Sequence, residues 1–306
     1  MMLCLDSGNS RIKWAFLTNG AWQGAGTTVQ GDFSALQALA ARDPAPERIV
    51  LSNVAGPAVE AEIRAALAAW GVALEVVAAT AAAHGVINRY ENPARLGVDR
   101  WCALIGARAL SPSATLVVMA GTATTVDSLD AEGRFLGGLI LPGQHLMLNS
   151  LARDTAALPF ARGVYRRFPA CTEDAIVSGA IEAQAGAIER AWARLPGLER
   201  SCLISGGHAA LLAERLAMPC RLVDNLDGIA VAFRCGIAGN VRCARGQLFE
   251  GFKGAARVGQ GVSGSGDAED GHLLTKKIEC PDCCFKVVTP DFPGQLVKCD
   301  TVATMS

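Results

Sequence analysis

The sequence has little of several features that would mark a specialised class of protein. Its 306 residues include only two tyrosines and four histidines, and the formal net charge is −1. A charge this close to zero gives no indication of nucleic acid or an acidic membrane surface as a partner. No apolar run approaches the roughly 20 residues that cross a bilayer. Asp6 and Arg11 interrupt the first apolar stretch, so we expect no signal peptide and a cytoplasmic location.

Histidine and cysteine show no metal-binding spacing in the main body of the chain. The four histidines lie far apart, at His84, His145, His208 and His272, and none is interpreted as catalytic. Of the 11 cysteines, seven lie singly between Cys4 and Cys243 in apolar or helical surroundings. Since no secretory signal is expected, we interpret these seven as reduced and as small buried hydrophobic residues.

Length and apolar content predict two medium-sized α/β domains. The chain is 51% hydrophobic and contains 33 glycines, and it is long enough to bury two sizeable cores. Apolar runs of strand length alternate with helical patterns, which is typical of α/β proteins. Ser111-Pro112-Ser113 interrupts the pattern. We therefore place an N-terminal phosphate-binding and substrate domain at residues 1–111, a second nucleotide-binding domain at 112–245, and a tail at 246–306.

The stretch from Leu3 to Leu17 predicts a β-hairpin with a phosphate-binding turn. Two apolar runs flank Gly8 and Asn9. Backbone N–H groups and hydroxyls in such a turn can bind phosphate oxygens, Lys13 adds a positive charge, and Asp6 can orient hydrated Mg²⁺. An ordinary surface hairpin is the alternative that this stretch alone leaves open.

The second half of the chain opens in the same way. A strand at 116–120 leads into the hydroxyl-rich turn 121–125, and an extended pattern resumes at Val126. Later, a strand ends in Ser205-Gly206-Gly207. One hairpin per half can reach nucleotide phosphates from two sides of a cleft, and the late glycine turn lets the backbone approach the adenosine. The sequence therefore predicts a duplicated α/β fold with a central ATP cleft.

Several segments resemble, in order, the motifs of type III pantothenate kinases. They are Asp6-Ser-Gly-Asn-Ser-Arg-Ile-Lys13, Tyr90-Glu-Asn-Pro93 with Leu96-Gly-Val-Asp-Arg100, Gly121–Asp127 with Gly137–Gly143, and Ser205-Gly-Gly207. The resemblance covers residues 1–240. It implies the fold shared by actin, sugar kinases and acetate kinase, and a homodimer. It also implies transfer of the ATP γ-phosphate to the primary hydroxyl of pantothenate, the first step of coenzyme A synthesis.

The resemblance assigns the ATP site to the two hairpin turns. The implied residues are Asp6, Ser7, Gly8, Asn9, Ser10, Arg11, Ile12, Lys13 and Thr122. Asp6 would serve Mg²⁺, and Lys13 and Thr122 would bind the phosphates.

The resemblance assigns catalysis and pantothenate binding to the residues around position 99. The implied substrate residues are Tyr90, Gly97, Val98, Asp99, Arg100 and Thr172. Asp99 is our candidate for the general base that removes the hydroxyl proton, and a helix cap is the alternative. Arg100 would pair with the pantothenate carboxylate, with a solvated helix arginine as the alternative. Gly97 would let the backbone approach the substrate.

Thr172 and Tyr90 have weaker signals. Thr172 matches a threonine that contacts pantothenate in the family, often from the neighbouring subunit. The family pattern there is Asn-Thr, whereas this chain has Cys171-Thr172, and the alternative is that Thr172 is the N-cap of the long helix after it. Tyr90 would hydrogen-bond or pack against the substrate, or it is simply half-buried in its loop.

Met119 departs from the family pattern at the expected monovalent-cation site. Family members usually carry an aspartate three residues before the threonine of the second turn, where it binds K⁺ or NH₄⁺. A thioether is a poor ligand for a hard cation. Either the cation dependence is lost or another oxygen takes over, for which Asp127 is a candidate by proximity, with a solvent-facing strand end as its alternative.

The tail lies beyond the part of the chain that the resemblance covers. Residues 251–271 are rich in glycine, serine and acids, as flexible linkers are. Cys280-Pro-Asp-Cys283 and the later Cys299 resemble the knuckles of a zinc ribbon, but Val302 stands where a fourth cysteine is expected. A closed zinc site needs four ligands, and the substitutes are Cys284, His272 and Asp300. The alternative is a tail without metal.

Two rival functions stay open. One is a kinase of the same fold for another small alcohol or carboxylate, against which the segment from Tyr90 to Arg100 argues. The other is a non-catalytic regulatory protein, because some family members were described as transcription-accessory factors and because Met119, Cys171 and the tail depart from the family pattern.

Overall fold

A computed structural model describes residues 1–224, except 43, 156, 157 and 159. Within these residues the chain forms two β-sheets with helices packed on them. The last part of the predicted second domain and the cysteine-rich tail at 246–306 lie outside the described residues. None of the described helices is both long and apolar enough to span a membrane.

The first sheet contains five strands in the order β3-β2-β1-β4-β5. The strands are β1 (Met2–Ser7), β2 (Arg11–Thr18), β3 (Ala21–Val29), β4 (Arg48–Asn53) and β5 (Leu74–Val76). Strands β1, β2 and β3 are antiparallel, whereas β4 and β5 run parallel to β1. Two helices belong to this unit, α1 (Ser34–Ala40) and α2 (Pro57–Ala66), and a 3₁₀ turn at Ala68–Trp70 follows α2.

A short connecting segment leads from the first sheet to the second. It contains β6 (Ala82–Ala83), β7 (Val86–Asn88), a 3₁₀ turn (Pro93–Arg95) and the helix α3 (Val98–Leu110). Strands as short as β6 and β7 carry too few alternating apolar residues to be recognised from sequence.

The second sheet repeats the topology of the first. Its main strands are β8 (Ala114–Ala120), β9 (Ala123–Leu129), β10 (Arg134–Pro142), β11 (Arg200–Ser205) and β12 (Arg221–Leu222). Read from β10, they follow the order third, second, first, fourth, fifth, with the first three antiparallel and the last two parallel to the first. The helices are α4 (Gln144–Asp154), α5 (Thr172–Arg194) and α6 (Ala209–Ala213). This repetition confirms the predicted duplicated α/β fold.

Helix α3 lies between the two sheets and is the centre of the molecule. Residues 100–107 of α3 are buried. They form one cluster with Cys4 and Val50 of the first sheet and Val117 and Leu203 of the second. Since successive strand residues point to opposite faces, the alternate residues Leu3 and Leu51 pack on the other side, against α1 and α2. The start of α3 is thereby fixed relative to both sheets.

The structure refines two sequence predictions on element boundaries. Sheet membership changes before the proposed domain boundary at 111–112, because β6 and β7 extend the second sheet beyond β10. Cys171, not Thr172, is the N-cap of α5. Cys4, Cys102 and Cys202 are buried as predicted, whereas Cys171 is exposed.

Candidate active site

The turn of the first hairpin has the predicted form. Gly8 lies in the turn, where its N–H donates to the carbonyl of Arg11 at 3.0 Å. Asp6 and Lys13 lie opposite each other on β1 and β2, with Lys13 Nζ 3.9 Å from Asp6 Oδ2. The Ile12 side chain is fully buried in the first core, so only its backbone can face a phosphate.

The two hairpin turns of the duplicated halves are in direct contact. The hydroxyls of Ser10 and Thr122 are 2.8 Å apart and hydrogen-bonded, although the residues are 112 positions apart in the chain. In the second turn the N–H of Gly121 donates to the carbonyl of Ala123 at 3.1 Å. The predicted pair of turns is therefore brought together at one place.

Two further turns approach the end of β8 so closely that only glycine fits. The N–H of Gly143, before α4, donates to the carbonyl of Thr122 at 2.9 Å, and a Cβ at Gly143 would collide with the carbonyl oxygens of the second hairpin turn. Gly206 has φ +104°, and a Cβ there would collide with the backbone of Ala120. The predicted late glycine turn thus packs against the second hairpin turn.

Asp99 lies in the first turn of α3, where it is half-buried. Its Oδ1 accepts a hydrogen bond from the N–H of Arg100 at 2.8 Å. The N-cap of α3 is Gly97, so the alternative of Asp99 as the cap is wrong. A Cβ at Gly97 would lie 2.7 Å from Asp99 Oδ1, which means that the absence of a side chain at 97 permits this carboxylate position.

Arg100 is paired with Asp127, and this excludes two of the alternatives that the sequence left open. Its Nε lies 3.2 and 3.1 Å from the two carboxylate oxygens of Asp127, and its Nη2 lies 2.5 Å from Oδ1. Arg100 is only 4% exposed and Asp127 is 0% exposed. Arg100 is therefore not a solvated helix arginine, and Asp127 is not a strand end facing solvent.

Burial and pairing act against each other in this ion pair. Burial lowers the pKa of Arg100, but the hydrogen bonds and charge of Asp127 more than offset that, so the pKa of the guanidinium is raised. The pKa of Asp127 is also raised, because burial of its carboxylate outweighs the opposing hydrogen bonds and charge of Arg100. Asp127 is also unsuitable as the substitute cation ligand, because a second cation beside the guanidinium would be repelled.

Tyr90 and Phe135 form an aromatic wall beside the pair. The rings stack with centroids 6.0 Å apart and an interplanar angle of 23°, and the Arg100 Cζ lies 5.9 and 5.6 Å from the two centroids. Asn88 orders the preceding loop, since its Oδ1 accepts from the Tyr90 N–H at 3.1 Å and its Nδ2 donates to the Pro93 carbonyl at 3.1 Å. A cavity of about 630 Å³ opens here, lined by residues 89–92 and Arg95.

The remaining predicted substrate residues differ in exposure. Val98 is buried in the central cluster, where its side chain supports α3. Thr172 is exposed at the start of α5. Met119 packs, half-buried, against the central cluster, in the manner of a hydrophobic residue.

The donor set at the hairpin turns fits Mg²⁺·ATP. The hydroxyls of Ser10 and Thr122, the Lys13 ammonium and backbone N–H groups are donors for phosphate oxygens, and Asp6 offers the carboxylate oxygen that Mg²⁺ prefers. In the described part of the chain, no three His, Cys, Asp or Glu side chains are grouped so as to hold a metal ion. One carboxylate is nevertheless enough, because Mg²⁺ keeps waters and takes further ligands from the substrate phosphates.

Sequence reasoning missed the pairing of Asp127 with Arg100 and the contacts of this pair with Phe135 and Gly138. The available signal was an acid placed between Val126 and Leu129 in a buried apolar strand. A buried charge needs a partner, but the sequence does not say which of the 28 lysines and arginines supplies it.

Comparison with known proteins finds relatives along the same part of the chain. Residues 2–194 match the family model described as type III pantothenate kinase. A protein of that name from Dechloromonas aromatica is 54% identical over 226 residues, which is 74% of this chain and 95% of the relative. Another, from Aromatoleum aromaticum, is 52% identical over 239 residues, covering 76% of this chain and 98% of the relative. The family match includes both hairpin turns and α3.

Proposed function

The chain belongs to the type III pantothenate kinase family, and from this membership we propose that it transfers the γ-phosphate of ATP to the primary hydroxyl of pantothenate. The observation that carries the proposal is 54% identity over 95% of the Dechloromonas relative. The duplicated sheets agree with the fold type shared by actin, sugar kinases and acetate kinase. The reaction yields phosphopantothenate, the first intermediate of coenzyme A synthesis.

Asp99 is the general base in this proposal. When the hydroxyl oxygen of pantothenate attacks the γ-phosphorus, its proton passes to the Asp99 carboxylate and the new O–P bond forms. The bond between that phosphorus and the bridging oxygen breaks, and ADP leaves with the electron pair. The half-buried position of Asp99 and its hydrogen bond from the Arg100 N–H support this role, because both hold the carboxylate in one orientation.

The hairpin turns hold the nucleotide. Ser10, Thr122 and Lys13 would bind phosphate oxygens, with the backbone at Gly8 and Asn9, and Asp6 would hold Mg²⁺ directly or through water. When bound, Mg²⁺ neutralises the charge that develops on the phosphate oxygens. The hydrogen bond between Ser10 and Thr122 supports a site shared by both halves.

Arg100, Tyr90 and the adjacent cavity receive pantothenate. Arg100 binds Asp127 through Nε and Nη2, and the Nη1 corner of the guanidinium is the part assigned to the substrate carboxylate. Tyr90 lines the cavity and stacks on Phe135. Thr172 contributes from the exposed start of α5.

Met119 removes the monovalent-cation requirement in this proposal. Its thioether is a poor ligand for K⁺, and its side chain packs as a hydrophobic residue. The nearby oxygen ligand considered from sequence, Asp127, is bound by Arg100.

We further propose that the protein is a cytoplasmic homodimer. Exposed large apolar side chains support the dimer. They lie on β10, α4 and the segment after α4, namely Leu139, Ile140, Leu146, Leu151, Phe160, Val164 and Phe168, and exposed apolar patches mark interaction surfaces. The segment after α4 borders the start of α5, where the Val164 N–H donates to Asp174, so a partner subunit would lie near Thr172.

An ADP-release assay with ATP and pantothenate tests the function. We expect pantothenate-dependent turnover in the wild type and a loss of about 100-fold or more in kcat for Asp99→Asn, because general-base catalysis contributes roughly that much. A wild type that releases no ADP on adding pantothenate would refute the kinase. A fully active Asp99→Asn would leave the kinase standing and refute the base assignment. Thermal unfolding of both proteins controls for folding.

A further inference from the structure

Asp127 has no contact with solvent, yet it makes the most extensive side-chain ion pair beside the candidate active site. It lies in the middle of β9, with its carboxylate bound by Nε and Nη2 of Arg100. Such buried pairs contribute little net stability compared with well-packed apolar side chains of the same size. Stability is therefore a poor explanation for placing a carboxylate here.

The pairing fixes the guanidinium in a defined orientation. Arginine presents a rigid planar fork, so a carboxylate bound along its Nε and Nη2 edge sets the direction of the Nη1 corner. The rings of Tyr90 and Phe135 further confine the plane of the Arg100 guanidinium, because their centroids lie 5.9 and 5.6 Å from its Cζ. Asp99, the residue before Arg100 in the chain, shares this constraint because its Oδ1 accepts from the Arg100 N–H.

Gly138 supplies the space that the pair occupies. It lies opposite Asp127 in the register between β10 and β9. A Cβ at this position would collide with Asp127 Oδ1, and it would lie 2.7 Å from Arg100 Nη2 and 2.9 Å from the Val126 carbonyl. Position 138 of β10 therefore leaves room for this ion pair only because it carries no side chain.

We propose that Asp127 is a positioning residue: by clamping one edge of the Arg100 guanidinium, with room left by Gly138, it directs the Nη1 corner to the carboxylate of pantothenate. The inference rests on the proposed function. Asp127 itself touches no substrate and transfers no proton. Its effect is on how well the enzyme distinguishes a carboxylate substrate from a neutral one.

The test compares pantothenate with an analogue in which a primary amide replaces the carboxylate. In Asp127→Asn the charge that holds Arg100 is lost, and we expect kcat/KM for pantothenate to fall by about 10- to 100-fold, mainly through KM, since hydrogen bonds to charged groups contribute that much. For the amide analogue we expect a change within about 3-fold, because it has no charge for Arg100 to bind. The ratio of kcat/KM for pantothenate to kcat/KM for the amide analogue should therefore fall sharply.

Asp130→Asn is the matched control. Asp130 is also buried, at 4% exposure, and also pairs with an arginine, Arg134, at 2.6 Å between Nε and Oδ2. It lies just after the far end of β9, and its loss should leave the substrate ratio unchanged. Gly138→Ala is the second variant: it keeps both charges but separates them, and we expect the same collapse of the ratio.

The outcomes separate this inference from the proposed function. If the wild type turns over pantothenate and Asp127→Asn lowers kcat/KM equally for both substrates, the residue is merely structural and the inference is overturned. An unchanged ratio in both Asp127→Asn and Gly138→Ala overturns it as well. If Asp127→Asn does not fold, the kcat/KM ratio for the two substrates in Gly138→Ala alone decides whether the inference holds. A wild type without pantothenate turnover would instead refute the function.

Discussion

Replacing Gly97 with alanine should slow phosphoryl transfer without unfolding the protein. Gly97 has φ −53° and ψ 132°, which alanine adopts without strain. The added Cβ would, however, lie 2.7 Å from Asp99 Oδ1. The perturbation is therefore directed at one carboxylate oxygen and not at the backbone.

The magnitude follows from how far Asp99 must move. Contacts of a Cβ below 3.0 Å essentially do not occur and those from 3.4 Å are ordinary, so Oδ1 has to retreat by 0.3 to 0.7 Å, from 2.7 Å to between 3.0 and 3.4 Å. A misplacement of about 1 Å in a catalytic group can cost roughly 100-fold. Scaled logarithmically, the shift predicts a loss of about 4- to 25-fold in kcat, or about 0.8 to 1.9 kcal/mol in the activation barrier.

The assay measures kcat and the two KM values by ADP release, together with thermal unfolding. We expect KM for ATP to be unchanged, because the hairpin turns are untouched. Gly179→Ala is the control: it lies exposed in α5 with no atom near the new Cβ. That variant should keep kcat and gain up to about 1 kcal/mol of stability from helix propensity. An unchanged kcat in Gly97→Ala, with Asp99→Asn inactive, would refute the steric argument.

Two further predictions concern the cation and the subunit interface. Turnover of the wild type should change by less than about 2-fold when K⁺ replaces a bulky organic cation, because Met119 offers no oxygen ligand. Met119→Asp should introduce stimulation of turnover by K⁺. Strong K⁺ dependence of the wild type would contradict this prediction. Ile140 is 64% exposed on β10, so Ile140→Asp should shift a dimer toward monomer in sedimentation velocity, whereas Glu132→Ala on the exposed turn before β10 should not. A wild type that sediments as a monomer at assay concentration would refute the proposed dimer.

The two hairpin turns were predictable because their signal is local. A turn between two apolar runs needs glycine and short polar residues for backbone reasons, and Gly8, Asn9 and Gly121 provide them. The repetition of this pattern in the second half predicted the duplication, which the matching strand orders confirm.

The chemistry around position 99 was only partly predictable. The segment from Leu96 to Arg100 is contiguous in sequence, and the resemblance assigned its residues to the substrate. The partner of Arg100 is 27 residues away on another element. Because any buried carboxylate could satisfy the guanidinium, only packing of α3 against β9 selects Asp127. That packing also excludes the solvated arginine and the solvent-facing strand end as alternatives for Arg100 and Asp127.

The sequence by itself determined the alternation of strands and helices, the two glycine-rich turns and the family, because each depends on neighbours within a few residues or on ordered motifs. The tertiary structure alone decided which distant groups meet: Ser10 with Thr122, Arg100 with Asp127, and Gly138 with the space between them. The physical reason lies in α3. This helix is buried between both sheets, and its placement depends on the cores of both halves at once, so no local pattern specifies which residues surround its first turn.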